Sequence, residues 1–255
     1  AGERRGPPPA GGLHPAQVWP LSPARRVRYT LRSPTAEAVP SSVGEGLVEV
    51  RWPGATKGMR LESYAKTDTG LVRSANQDSV GCFPNLGLFA VADGMGGHAA
   101  GEVASGMTID QISERFGSAE FASVSTDSFE EVLRSLLQDV NRSVQSAGLD
   151  DDKRGMGTTC TLAAIRDKRL YYAHVGDSRA YVFRDGELSQ LTSDHSWVEE
   201  MVRAGSISRE AARTHPNRNV ITRAIGLDVD VVVDTGSFEL EDDDLVVLCS
   251  EIGRA

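Results

Sequence analysis

Three carboxylates stand in turns beside short apolar runs: Asp78 in Asn76-Gln77-Asp78, Asp93 in Ala92-Asp93-Gly94-Met95-Gly96-Gly97, and Asp177 in Gly176-Asp177-Ser178-Arg179. A fold that gathers several strand ends at one edge would crowd these groups into a pit, where their mutual repulsion demands a cation. Oxygen donors without a Cys/His set favour magnesium or manganese over zinc, and such ions keep waters, one of which can become a nucleophile. Glycine at 94, 96 and 97 lets the backbone bend sharply and expose its carbonyls. Arg73, five residues before Asp78, carries a planar cationic fork suited to phosphate or carboxylate. Each feature alone has a plainer reading. Asp93 would simply cap the helix after a strand-to-helix turn, and Arg73 would form a surface ion pair.

The elements that must position these residues follow from apolar periodicity. Leu88 to Val91 reads as a strand that delivers Asp93 into the glycine turn. Short strands are predicted over 61–66, 79–83 and 86–92. Ala100, Val103, Ala104, Met107, Ile109, Ile112 and Phe116 follow a helical spacing, repeated more cleanly by Phe129, Val132, Leu133, Leu136, Leu137, Val140 and Val144. Strands over 158–165, 169–175, 179–184 and 187–191, with turns at Asp167-Lys168, Gly176-Asp177 and Asp185-Gly186, read as one antiparallel meander. Short helices over 194–205 and 208–213, a loop at 215–219, and strands over 229–238 and 245–250 complete the chain. Strands, then helices, then strands imply α+β, with antiparallel sheets packed together and helices on an outer face.

Composition narrows the function. The 255 residues carry 27 Lys and Arg against 36 Asp and Glu, a net charge of −9, which argues against a general nucleic-acid or anionic-membrane binder. Cys82, Cys160 and Cys249 are scattered among apolar residues, as expected of reduced core thiols, and none lies in a phosphate-cradling loop. No apolar run approaches the roughly 20 residues that span a bilayer. Residues 1–58, with Pro7-Pro8-Pro9 and arginines at 4, 5, 25, 26, 28 and 32, read as a disordered Pro/Arg-rich tail. The folded domain is expected over 59–255.

Five motifs in order carry a resemblance: Thr67-Asp68-Thr69-Gly70 with Arg73-Ser74-Ala75-Asn76-Gln77-Asp78; Val91-Ala92-Asp93-Gly94-Met95-Gly96-Gly97-His98; Gly157-Thr158-Thr159; Val175-Gly176-Asp177-Ser178-Arg179; and Leu191-Thr192-Ser193-Asp194-His195-Ser196. The chain resembles the bacterial branch of the PPM-type metal-dependent serine/threonine protein phosphatases. That resemblance implies an antiparallel β-sandwich flanked by helices, with two or three manganese or magnesium ions at one end. It implies Asp93 as bridging ligand, Gly94 as a carbonyl ligand, Asp78 holding metal-bound water, and Asp177 at a third, looser site. Arg73 would bind the substrate phosphate, His98 is the candidate general acid, Gly157-Thr158-Thr159 is structural, and the region from Ser193 to about Asn219 corresponds to a flap. The implied reaction is hydrolysis of phosphoserine and phosphothreonine in proteins by a metal-activated water, in a cytoplasmic monomer. After Leu248-Cys249-Ser250 the family pattern has Asp-Gly, whereas here Glu251-Ile252 follow and the chain stops soon after. Glu251 therefore stands in for a metal-ligating aspartate in a domain that reads as C-terminally incomplete. The alternative expectation is a catalytically impaired relative that binds phosphoproteins or metal without turnover.

Overall fold

The apolar run expected as a strand forms β4 (Leu88–Met95), whose pleat separates two apolar layers. Leu88, Ala90 and Ala92 pack into a core shared with two long helices, while Phe89 packs into a second core on the opposite face. The computed structural model describes residues 45–48, 61–70, 73, 75–96, 100–118, 121 and 123–250. His98 and Glu251 lie outside the described residues, as does most of the segment read as a disordered tail. Within that segment, β1 (Glu45–Val48) pairs antiparallel with β2 (Leu61–Tyr64).

The larger sheet runs β10 (Asp234–Glu239), β7 (Arg169–Val175), β6 (Cys160–Arg166), β4, β3 (Asp78–Phe83), with the short β5 (Gly157–Thr158) paired to the end of β4. The smaller sheet runs β11 (Leu245–Cys249), β8 (Arg179–Arg184), β9 (Glu187–Gln190). Ala163, Ile165, Leu170 and Val182 form the buried layer between the sheets, joined by Phe238 and Leu248. On the other face of the larger sheet lie α1 (Ala100–Phe116), against β3 and β4, and α2 (Phe129–Ala147), against β7 and β10. The architecture is the expected α+β sandwich of antiparallel sheets with helices on an outer face.

Three local expectations need correction. The region 158–191 is not a single meander. The β6–β7 hairpin belongs to the larger sheet and the β8–β9 hairpin to the smaller, so Gly176-Asp177-Ser178 carries the chain from one sheet to the other. The first of the two short helices is confined to α3 (Trp197–Arg203), because Ser196 caps it by accepting from the Glu199 N–H while Asp194 and His195 stay outside; α4 (Arg209–Thr214) follows. Finally, the strand expected from 229 begins only at Asp234. The Asn141 amide of α2 donates to the carbonyls of Asp228 (3.0 Å) and Val229 (3.1 Å), so a helix side chain, not a ladder, takes those groups.

Asn141 is fully buried on the face that also buries Leu137, Val140 and Val144, and its Oδ1 accepts from the Gly226 N–H at 2.7 Å. Asn141→Ala leaves one buried N–H and two carbonyls without this partner, so it is expected to destabilise by about 2–4 kcal/mol in urea unfolding.

Candidate active site

The β3–β4 register sets Asp78 directly across from Asp93. Opposed residues of an antiparallel pair share a face, and here it is the face turned to the smaller sheet, since Phe89 lies on it two steps of the pleat away. From the smaller sheet, Ser250, just past β11, donates its hydroxyl to Asp78 Oδ2 at 2.8 Å. The other carboxylate oxygen, Asp78 Oδ1, is buried and has no hydrogen-bond partner among the described residues. Asp93 is pushed up to about 7, first by burial, then by the charge and hydrogen bond of Asp78 and the charge of Asp177; the exposed Arg73 pulls the other way. An orphaned carboxylate oxygen facing an acid that resists ionisation is what a divalent cation would relieve, so the donor set fits such an ion. Among the described residues no three His, Cys, Asp or Glu side chains are placed to hold a metal ion. What the described part contributes is the Asp78–Asp93 pair, with Asp177 within electrostatic reach.

The peptide of Asp93 is bracketed on both sides. Its N–H donates to Thr159 Oγ1 (2.9 Å), and its carbonyl accepts from the Thr159 N–H (2.9 Å) and Thr158 Oγ1 (2.9 Å). Gly157-Thr158-Thr159, read as structural from sequence, is the brace of this carboxylate. Gly94, which follows, is buried against the start of α1 and donates its N–H to the Gln77 carbonyl at 3.1 Å. Ser105 of α1 also donates to the Gln77 carbonyl, at 2.7 Å, so β3, β4 and α1 are laced together beside the two acids.

Toward Asp177 the layer between the sheets turns polar. Asp234, His174 and Thr161 stand side by side on β10, β7 and β6. Thr161 Oγ1 lies 2.9 Å from His174 Nδ1 and 3.0 Å from the Ser178 carbonyl, and Ser178 Oγ lies 2.6 Å from Thr159 Oγ1. The His174 ring lies 4.7 Å from that of His195. Burial, and then the neighbouring His195, lower His174 to about 4, against opposing pulls from Asp194, Asp234 and the Ser193 carbonyl. Thr159, Ser178, Asp194 and His195 stand in the motifs already named, whereas Thr161, His174 and Asp234 did not stand out in the sequence. The usable signals were a histidine inside the apolar run Leu170–Val175 and Thr161 one strand away.

A histidine whose folded value lies below its unfolded value of about 6.5 contributes stability that is fully present above pH 6.5 and lost as pH falls toward 4, since the unfolded chain binds the extra proton. For the fully buried His174 the loss is expected to reach on the order of 3 kcal/mol. Urea unfolding at pH 7.5, 5.5 and 4.5 measures it, and His174→Gln is expected to flatten that part of the profile.

The chain makes an excursion that contains α3 and α4 and whose two stems meet in an antiparallel bridge, Ser196 to Ile221. Trp197 stacks on His215 at 4.8 Å, and Arg209 pairs with Glu199 at 3.1 Å. This is the segment expected as a flap.

Comparison with known proteins agrees with this layout. Residues 62–226 match the family model described as protein phosphatase 2C. The serine/threonine phosphatase stp of Listeria monocytogenes is 40% identical over 195 residues, covering 75% of this chain and 77% of its own length. The crystal structure of the serine/threonine phosphatase Stp1 from Staphylococcus aureus superposes with a TM-score of 0.68 at 39% identity, over 76% of each chain. The catalytic domain of the serine/threonine protein phosphatase PstP, solved in complex with 2 manganese ions, superposes with a TM-score of 0.59 at 35% identity, over 72% of this chain and 74% of that one. With the family model matching more than half of the chain and these relatives sharing its fold, the chain belongs to the protein phosphatase 2C family.

Proposed function

We propose that the protein hydrolyses phosphoserine and phosphothreonine esters in protein substrates with the help of two or three manganese or magnesium ions. The observation that carries the reading is the opposed pair Asp78–Asp93, with its partnerless buried oxygen and its acid raised to about 7. Asp93, Asp78 and the Gly94 carbonyl would hold the ions, Asp177 a looser one, and Glu251 a further carboxylate position. When bound, such ions supply Lewis-acid polarisation of the phosphoryl group and a water acidic enough to attack at neutral pH. The protein's own residues do the rest. Thr158 and Thr159 fix the Asp93 peptide, Ser250 fixes Asp78, Arg73 receives the substrate phosphate through its guanidinium fork, and His98 donates a proton to the departing alkoxide.

Thiolate chemistry is disfavoured by the cysteines themselves. Burial raises Cys160 to about 12, and it also raises Cys82 and Cys249, so none is poised as a nucleophile near neutral pH. The substrates in this reading are cytoplasmic phosphoproteins, on which the protein acts as a monomer; among the described residues no helix is long and apolar enough to cross a membrane. The test is hydrolysis of a phosphothreonine peptide while manganese is titrated. Turnover that saturates with metal and vanishes with chelator is expected. A folded protein that binds the peptide without releasing phosphate would be the non-hydrolysing relative instead.

A further inference from the structure

Asp177 lies in a turn that cannot be braced by a side chain at its first residue. Gly176 has φ +111°, and a Cβ there would sit 2.6 Å from the Thr159 side chain. The turn is held through its peptide groups instead, and a single residue holds both. The Gly176 N–H donates to His195 Nδ1 at 3.0 Å, and the Gly176 carbonyl accepts from the His195 N–H at 2.7 Å. Because Nδ1 accepts, the ring proton is on Nε2, which lies 3.1 Å from Asp234 Oδ2. Arg223 Nη1 in turn donates to Asp234 Oδ1 at 3.0 Å and lies 3.2 Å from the same ring nitrogen. On the far side of Asp177, Arg179 is clamped by Asp194 through two parallel bonds, Nε to Oδ1 at 2.8 Å and Nη2 to Oδ2 at 2.5 Å. Two consecutive residues, Asp194 and His195, thus grip Arg179 and Gly176, one on each side of Asp177. His195 is only 2% exposed, so it touches substrate nowhere and acts through what it holds.

We propose that His195 is a positioning residue for Asp177: oriented by Asp234 and seconded by the Arg179–Asp194 clamp, it holds the Gly176–Arg179 turn where Asp177 can serve the looser cation site. The inference rests on the reading of Asp177 as a metal ligand. It parallels the general behaviour of groups that orient ligands without touching the ion.

The experiment is a manganese titration of the protein in which free Mn2+ is followed by electron paramagnetic resonance, giving the number and affinity of sites without reference to turnover. Asp177→Ala is expected to abolish the weaker site. His195→Ala is expected to weaken that site on the order of tenfold and leave the tighter ones unchanged, and His195→Asn, which keeps an acceptor near Nδ1, to restore it to within about threefold. Full weak-site affinity in His195→Ala alongside its loss in Asp177→Ala overturns the positioning role and leaves the metal reading standing. Undiminished binding in Asp177→Ala overturns the metal reading and this inference with it. Thermal melting verifies folding. Should His195→Ala not fold, Asp234→Ala, which keeps the Gly176 contacts but frees the ring, is expected to weaken the same site by about three- to tenfold. An unchanged affinity there counts against the proposal.

Discussion

Gly94→Ala is expected to lower the unfolding free energy by about 3–5 kcal/mol, or to prevent folding, although it adds a single methyl group. A Cβ on Gly94 would lie 2.6 Å from the Gln77 carbonyl oxygen and closer still to the carbonyl group of Gly101. All of these are backbone atoms. No rotamer change makes room, so β4 must part from β3 or from the first turn of α1. The fit is reciprocal, since a Cβ on Gly101 would lie 2.8 Å from the Gly94 carbonyl carbon. Gly106, one and a half turns further along α1, has nothing within 4 Å of its Cβ position. Gly106→Ala is therefore the control, expected to be neutral or to stabilise by about 0.5–1 kcal/mol. Urea unfolding followed by circular dichroism compares the two, and equal effects would show that close backbone contact is not what Gly94 provides.

Asp93→Asn is expected to act in opposite directions on activity and stability. Turnover of a phosphothreonine peptide is expected to fall on the order of a thousandfold or more, because the substitution removes the charge that would hold the ions. Without metal, the same variant is expected to be more stable than the unsubstituted protein at pH 8. Asp93 is raised from 3.8 to about 7, with burial the largest cause and Asp78 next. The folded state therefore binds its proton more tightly than the unfolded state does. The stability this contributes is fully present below pH 3.8 and is lost as pH rises through 7, a difference of roughly 2–4 kcal/mol once partial exposure is allowed for. Unfolding in chelator at pH 5 and pH 8 reads the sign. A variant that turns over substrate, or that is no more stable than its parent at pH 8, would remove Asp93 from the centre of the site.

Much of this arrangement was legible because local chemistry and global fold agree. Leu88 to Val91 is both a good strand and a good delivery arm for Asp93, and the apolar stripe from Phe129 to Val144 buries as its spacing predicts. Asp167 and Lys168 both take positive φ in the β6–β7 hairpin, as a two-residue turn requires. The illegible parts depend on partners far away in sequence. Nothing in Gly176-Asp177 distinguishes a hairpin from a crossing between sheets, because that choice is made by whether β8 pairs with β7 or with β11. The valines at 229, 231, 232 and 233 have strand propensity, yet Asn141, about ninety residues earlier, takes the carbonyls at 228 and 229. His195 and Asp234 are separated by 39 positions and meet only because α3, α4 and their loops lie between the two stems.

The crossing at Gly176 has a consequence for how the site is dimensioned. Asp78 and Asp93 belong to the larger sheet, Asp177 to the link between the sheets, and Ser250 to the end of the smaller one. The gap that these groups span is therefore the thickness of the sandwich, and that thickness is set by the small and medium side chains Ala163, Ile165, Leu170 and Val182. The apolar layer acts as a spacer gauge: a side chain too large in the middle of it would pry the far rim open and change the separation of the acids without touching any of them.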